Sequence, residues 1–276
     1  MNKVWMITGA AKGIGYSIAR AALENGDYIV ATTRVENDFD IPNEYKDKVL
    51  ALQLDVSCQD FSAFEFVVKQ AVEKFGYIDY LVNNAGRGRI TNFEETSEEH
   101  IKELFETNFF GMMRVTRAVL PVMRKQKSGY IFNVASSAGY AAGPVGYHSS
   151  KFAVTGFSTA LSFEVAPLGI KVTNVVPGMT RTNFYAKGST STESDYHIAD
   201  YDPFRWQDDF MRNNSNHEQM GDPDKIGQLI VKVAYGEKAP LHLPVTEDAV
   251  DVLLGSAKLM EECAESYAED AKATSF

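Results

Sequence analysis

A chain of 276 residues with 45% hydrophobic and 23% charged side chains has the composition of a globular protein and the length of one large α/β domain. Its net charge of −10 and isoelectric point near 5.1 argue against a nucleic-acid-binding surface. Cys58 and Cys263 are too few for a disulfide framework and stand in no metal-ligating spacing. No apolar run approaches the roughly 18 residues of a membrane span, and the first motif is reached by Thr8, which leaves no room for a signal peptide. A reduced, cytoplasmic protein without a metal is expected.

Residues 4–7 are a short apolar run that ends in Thr8-Gly9-Ala10-Ala11-Lys12-Gly13-Ile14-Gly15. A helical pattern follows, with Ile18, Ala19, Ala22 and Leu23 apolar, and stops near Gly26. In a strand, glycine-rich turn and helix, the glycines let a backbone approach a pyrophosphate while the helix N-terminus offers N–H donors. Tight turns in other α/β proteins share that spacing, so the glycines alone leave both readings open. Residues 28–33 form a second strand, whose end in a dinucleotide-binding fold meets the adenosine ribose, where a carboxylate selects NAD. Here no carboxylate comes before Glu36, while Arg34 and Lys12 are cations suited to a 2′-phosphate. NADP(H) is favoured, and Glu36 leaves NAD(H) open.

Residues 49–54 form a third strand, followed by Asp55 and Val56, and a helix over residues 61–75 carries Phe64, Val67, Val68, Ala71 and Val72. A fourth strand at 80–82 runs into Asn83-Asn84-Ala85-Gly86. A long helix starts at a cap in Thr96-Ser97-Glu98-Glu99 and extends to about Lys125, with Asn108 inside it. Thr107 and Gly111 beside Asn108 point to a local irregularity able to free a backbone carbonyl. A fifth strand at 129–134 brings Ser136 and Ser137 to its carboxyl end, and a sixth at 171–176 leads into Pro177-Gly178-Met179-Thr180-Arg181-Thr182. Alternating strands and helices specify a doubly wound parallel sheet with right-handed crossovers, in which ligands bind beyond the carboxyl ends of the strands.

Between the fifth and sixth strands a buried-type helix carries Tyr147 and Lys151, one turn apart on one face. A free phenol, with a pKa of roughly 10, is a poor proton donor at neutral pH, and a neighbouring ammonium draws that value down. Ser136 can hold a reacting oxygen while Tyr147 moves the proton, a device suited to carbonyl/alcohol chemistry. His148 projects about 100° away from Tyr147 and is not expected to be catalytic.

Over residues 3–184 these motifs closely resemble the short-chain dehydrogenase/reductase family: Thr8-Gly-x-x-x-Gly-x-Gly15, Asp55, Asn83-Asn84-Ala85-Gly86, Asn108, Ser136, Tyr147-x-x-x-Lys151 and Pro177-Gly178. The resemblance implies a Rossmann-type fold and the following roles. Tyr147 is the acid/base, Ser136 polarises the carbonyl, and Lys151 holds the nicotinamide ribose and lowers the Tyr147 pKa. Asn108 anchors a water linking Lys151 to solvent. Gly9, Lys12, Gly13, Ile14, Gly15 and Arg34 meet the phosphates, Asp55 and Val56 the adenine, and Asn83, Ala85 and Gly86 the ribose. Pro177, Gly178, Thr180 and Thr182 orient the carboxamide.

Two departures from the family pattern stand out. The Ser136-to-Tyr147 connection is short, which assigns residues 138–146 to an unusual pocket rim. The family's usual ending after the last strand is absent; Leu241-His242-Leu243-Pro244 leads instead into a helical tail over about 247–271. The tail resembles that of reductases related to the 17β-hydroxysteroid dehydrogenases, and it favours a homo-oligomer that is a dimer over the usual tetramer. The whole chain, 1–276, reads as a single domain with a lid over about 183–221. In that lid Tyr196, Tyr201, Phe204, Trp206, Phe210 and Met211 suit either a flat apolar substrate or the lid's own small core, and Arg87 and Arg89 suit either an acidic substrate group or plain solvent. The expected reaction is hydride transfer between NADP(H) and a small-molecule carbonyl or alcohol. An NAD-dependent alcohol dehydrogenase and a non-catalytic nucleotide sensor are the rival readings.

Overall fold

The computed structural model of the protein describes residues 2–36, 38–40, 42–186, 189–204 and 218–275. Its strands are β1 (Val4–Thr8), β2 (Tyr28–Thr33), β3 (Val49–Gln53), β4 (Tyr80–Asn83), β5 (Gly88–Arg89), β6 (Gly129–Val134), β7 (Ile170–Val176), β8 (Thr190–Ser191) and β9 (His242–Pro244). Seven of them make one parallel sheet in the order β3-β2-β1-β4-β6-β7-β9, and the short β5 and β8 pair with each other. The order reverses at β1, so the crevice beyond the carboxyl ends of β1 and β4 is where such a sheet receives a ligand.

The central strands are mostly apolar because both of their faces are covered. Trp5 and Ile7 of β1, Tyr80 and Val82 of β4, and Phe132 of β6 pack on one side with Ile18, Ile226 and Ile230. Val4, Met6, Leu81 and Ile131 point to the other side, against Phe64, Val67, Val115, Val119, Leu161 and Val165. The covering helices are α1 (Gly13–Glu24), α2 (Phe61–Phe75), α3 (Glu98–Phe105), α4 (Gly111–Gln126), α5 (Val145–Val165), α6 (Pro223–Ala234), α7 (Glu247–Ser266) and α8 (Ala268–Ala273). α6 lies against α1 and fills one face of the sheet; the sequence reading assigned no element there. Its start is nevertheless marked, since the Asp222 carboxylate accepts from the N–H groups of Asp224 and Lys225 and Pro223 occupies the first turn.

The long helix expected from Glu98 to about Lys125 is interrupted where Thr107 and Gly111 pointed. A π turn, Glu106–Phe110, separates α3 from α4, and the Gly111 N–H donates to the Glu106 carbonyl. Gly111 is required there, because a Cβ on it would stand 2.5 Å from the Val56 carbonyl oxygen. β9, read only as a lead into the tail, is the seventh sheet strand, with Asn174 opposite His242 and Val176 opposite Pro244. The tail helix breaks at Tyr267, and beyond its first turn most of it is solvent-facing: Leu254 is 66% and Met260 61% exposed.

Residues 189–198, within the segment expected to form a lid, are tied to the body by a polar cluster around the buried Arg89. β8 runs parallel to β5, and the Arg89 guanidinium donates to the Glu193 carbonyl at 2.6 Å and to Asp195 at 3.0 Å. Asp195 also accepts from the Ser97 N–H at 2.7 Å and bonds His100 Nδ1 at 2.8 Å, while buried Glu95 accepts from the Ile198 N–H at 2.9 Å. Arg89 is thus committed to the lid rather than to a substrate, and Arg87 pairs with Glu103 at 3.4 Å. Tyr196 is exposed and the Tyr201 hydroxyl donates to Glu94. Trp206, Phe210 and Met211 lie outside the described residues.

Burial pushes the Asp195 carboxyl up, but hydrogen bonds from His100 and Ser97 and the Arg89 charge outweigh it and hold the group at about 2. A depressed carboxyl stabilises the fold above its ordinary value near 3.8 and loses that contribution as pH falls towards 2. Asp195→Ala is expected to speed protease cleavage within residues 189–204 about tenfold at neutral pH while global melting moves little. Equal cleavage of mutant and wild type would show that the cluster does not hold the lid.

Candidate active site

The turn after β1 is shaped by its glycines. Gly9 and Gly13 have φ of +63° and +60°, which only glycine adopts without strain. Gly15 serves packing instead: a Cβ there would meet the Asn84 amide at 2.4 Å and the Gly9 carbonyl at 2.6 Å. Asn84 locks this turn by donating to the carbonyls of Thr8 and Gly9, both at 3.0 Å, and the Thr8 hydroxyl in return accepts from the N–H groups of Asn84 and Ala85. Asn84 is therefore the member of the Asn-Asn pair that reaches the cleft. Asn83, in the motif expected to line the ribose and support the sheet, is buried and donates to Thr116 and to Asn133 at 2.9 and 2.8 Å. Strand alternation places the two asparagines on opposite sides, which the dipeptide alone does not reveal.

A cleft of about 440 Å³ opens beyond the strand ends. Gly9, Lys12, Gly13, Ile14, Arg34, Asp55, Val56, Ala85, Gly86, Ser136, Tyr147, Lys151, Pro177, Gly178, Thr180 and Thr182 line it, as expected. Glu36 does not line it; Asp38, two residues on, does. Lys12 and Arg34 are both exposed, and the Lys12 ammonium donates to the Ser189 hydroxyl of the lid at 3.4 Å. None of residues 138–146 lines the cleft, so the short connection does not form the rim expected of it. Tyr140 turns away to His242 and Asn174, at 2.6 and 2.8 Å, and the His148 ring bonds the Ala141 carbonyl. The residues facing the Tyr147 side of the cleft are instead Phe184, with ring centroids 5.8 Å apart, and Tyr185. They follow Thr182 directly, and their only signal in the sequence was two adjacent aromatics at the start of the lid.

At the inner end, Tyr147 and Ser136 line the cleft together, and Ser136 caps the turn after β6 by accepting from the Ala138 N–H at 3.1 Å. Lys151 is buried, donates to the Val134 carbonyl at 3.0 Å, and places its ammonium 5.9 Å from the Tyr147 ring centroid. Asn108 does not reach the cleft. From the π turn its side chain accepts from the Arg87 N–H at 2.9 Å and donates to the Arg87 carbonyl and the Ser150 hydroxyl, both at 3.0 Å, which fixes the turn around Gly86. Burial pushes the Tyr147 hydroxyl up to about 12, with Ser136 pulling the other way, and brings Lys151 down to about 8. The phenol is therefore raised rather than lowered as expected, because desolvation outweighs a cation held back on a backbone carbonyl.

Among the described residues no cluster of three metal-type ligands is present, and no helix is long and apolar enough to cross a membrane. A doubly wound sheet whose glycine turn and Ser136–Tyr147–Lys151 set share one cleft defines a nucleotide-binding α/β oxidoreductase. A family model described as short chain dehydrogenase matches residues 3–193. The chain is 37% identical over 274 residues to Oxidoreductase BOA17 of Botryotinia fuckeliana, covering 98% of each protein. A crystal structure of a short-chain dehydrogenase from Streptomyces avermitilis is 36% identical and superposes with a TM-score of 0.89 over 100% of both chains. An alcohol dehydrogenase from Thermococcus sibiricus, solved with 5-hydroxy-NADP, is 25% identical with a TM-score of 0.69, covering 88% of this chain and 96% of that one. The protein belongs to the short-chain dehydrogenase/reductase family of oxidoreductases.

Because Lys151 titrates at about 8 in the fold and at its ordinary 10.5 in the unfolded chain, unfolding takes up a proton between those values. Stability contributed by this group therefore rises from pH 8 to 10.5 and is lost as pH falls through 8. Relative to Lys151→Met, the wild type is expected to gain up to about 3 kcal/mol across that window in denaturant titrations. A gap that does not change with pH would show that the ammonium is not desolvated.

Proposed function

We propose that the protein transfers hydride between NADP(H) and a carbonyl/secondary alcohol pair, with Tyr147 as the acid/base. The observation that carries this reading is that Ser136, Tyr147 and Lys151 together line the inner end of a cleft whose outer end presents Lys12 and Arg34. The residues fit an extended dinucleotide. Gly9 and Gly13 give a backbone cradle without side chains, Asp55 and Val56 flank the outer end, and Lys151 with the 177–182 loop frames the inner one. The bound cofactor supplies the hydride.

The protein's own part is positioning and proton transfer. A phenol at about 12 is fully protonated at neutral pH, so Tyr147 is set to donate to a carbonyl oxygen that Ser136 holds. Lys151, cationic below about 8, stabilises the phenolate that remains. The Asn108 side chain is spent on Arg87 and Ser150, so a water leading from Lys151 to solvent is held by the loosened backbone of the π turn. The 2′-phosphate of NADP(H) meets Lys12 and Arg34; Asp38 in the same part of the cleft is the observation favouring NAD(H) as the second reading. A nucleotide sensor has no use for a phenol that shares its cleft with a serine and a buried lysine.

Oxidation of NADPH and NADH over ketosteroids, quinones, aliphatic ketones and keto sugars is expected to give turnover with at least one class. Tyr147→Phe is expected to abolish that turnover and still bind cofactor; a near-normal rate in the mutant would remove Tyr147 from the mechanism. Arg34→Ala is expected to weaken NADPH by about 1–3 kcal/mol, the range for a lost charge-assisted bond, and to leave NADH nearly unchanged. Equal losses for the two cofactors in titration calorimetry would defeat the phosphate assignment.

A further inference from the structure

The loop 177–182 lines the cleft, and its backbone is held from outside the cleft at almost every residue. The Pro177 carbonyl accepts from the Ser137 N–H at 2.9 Å, one residue from Ser136. The Met179 carbonyl accepts from the Gly221 N–H at 2.9 Å, and the Arg181 N–H donates to the Gly221 carbonyl at 2.8 Å. Two further N–H groups go to the start of the C-terminal helix. Gly178 donates to the Thr246 hydroxyl at 2.9 Å, and Met179 donates to Asp248 Oδ2 at 2.7 Å.

Asp248 is fitted to this place with unusual tightness. A Cβ on Gly178 would fall 2.2 Å from Oδ2 and 2.3 Å from Oδ1, so the carboxylate occupies the space that a side chain would need. Gly178 is therefore glycine because Asp248 is there. The second oxygen, Oδ1, is buried without a hydrogen-bond partner. A buried acceptor left unsatisfied costs free energy, so this carboxylate is not a feature that stability alone explains. Beside the loop, the Tyr185 hydroxyl, which lines the cleft, donates to Met179 Sδ at 3.4 Å.

We infer that Asp248, assisted by Thr246, is a positioning residue for the inner, nicotinamide end of the cleft, so that the first turn of α7 belongs to the active site. With the N–H groups of Gly178 and Met179 both engaged behind the loop, the backbone facing the cleft is held in one orientation. The same clamp fixes Pro177 against Ser137 and hence the loop relative to Ser136. α7 thus works at its two ends in different ways: its first turn is packed into the site, and the rest projects into solvent. An exposed tail explains the second property and not the first.

The inference rests on the reading of the cleft as an NADP(H) site. It is tested in the full chain with Asp248→Ala, Asp248→Asn and Thr246→Val, by calorimetric titration of NADPH and of adenosine 2′,5′-bisphosphate, a fragment that lacks the nicotinamide. Asp248→Ala is expected to lower NADPH affinity and kcat/KM about tenfold, as for one lost charge-assisted bond, with the fragment's affinity unchanged within about twofold. Thr246→Val is expected to lose about threefold on NADPH alone. Asp248→Asn keeps an acceptor for the Met179 N–H and is expected to recover most of the loss. An Asp248→Ala protein that keeps wild-type affinity and turnover, or that loses the fragment as much as NADPH, would overturn the inference. A wild type that binds neither NADPH nor NADH would overturn the cofactor reading itself, and the inference with it.

Discussion

A lysine ammonium buried at the end of a parallel sheet is the constraint around which this site is built. Taking such a cation out of water is unfavourable unless polar groups receive it, and Lys151 is received by a single backbone carbonyl, that of Val134. Two neighbouring features go with it. Asn108 sits in a π turn, from which its amide holds both backbone groups of Arg87. Tyr147 stands one turn earlier on α5, its ring over the cation, and lines the cleft beside Ser136. Burial keeps the phenol protonated and the lysine close to its titration point, a pairing suited to giving a proton and then stabilising what is left.

The sheet supplies the rigidity that this arrangement needs. Its strands are covered on both faces, so the loops at their carboxyl ends start from fixed points. The turn after β1 and the turn after β4 are tied to each other by Asn84 and Thr8, and the loop after β7 is tied to the turn after β6 through Ser137 and Pro177. The side chains that line the cleft thus stand on several strand ends and on α5, and polar bonds between loops set their mutual geometry. Above them the lid is fastened at Arg89 and Asp195, and the C-terminal segment adds β9 to the sheet edge before its helix closes on Gly178 and Met179.

How much of this was legible in the sequence follows from the range of each interaction. The strands, the glycine turn and the one-turn spacing of Tyr147 and Lys151 are local, and period-two and period-3.6 patterns report them directly. The break at Asn108 was also legible, because Gly111 and Thr107 beside a polar amide are poor company for a regular helix. What the sequence left undecided depended on long-range packing. Which of Asn83 and Asn84 reaches the cleft, the presence of Asp38 rather than Glu36 there, and the turning away of residues 138–146 are all settled by neighbours far away in sequence. Arg89 is the plainest case: a surface arginine by composition, it is buried by a carboxylate 106 positions later.

The sequence by itself determined the family, the doubly wound sheet and the identity of the Ser–Tyr–Lys set, since these rest on local spacing and on motifs in a fixed order. Only the tertiary structure decided the protonation of Tyr147, the fastening of the lid and the place of Asp248. The reason is that desolvation, ion pairing and close packing are properties of what surrounds a group, and those surroundings come from segments that meet only when the chain has folded.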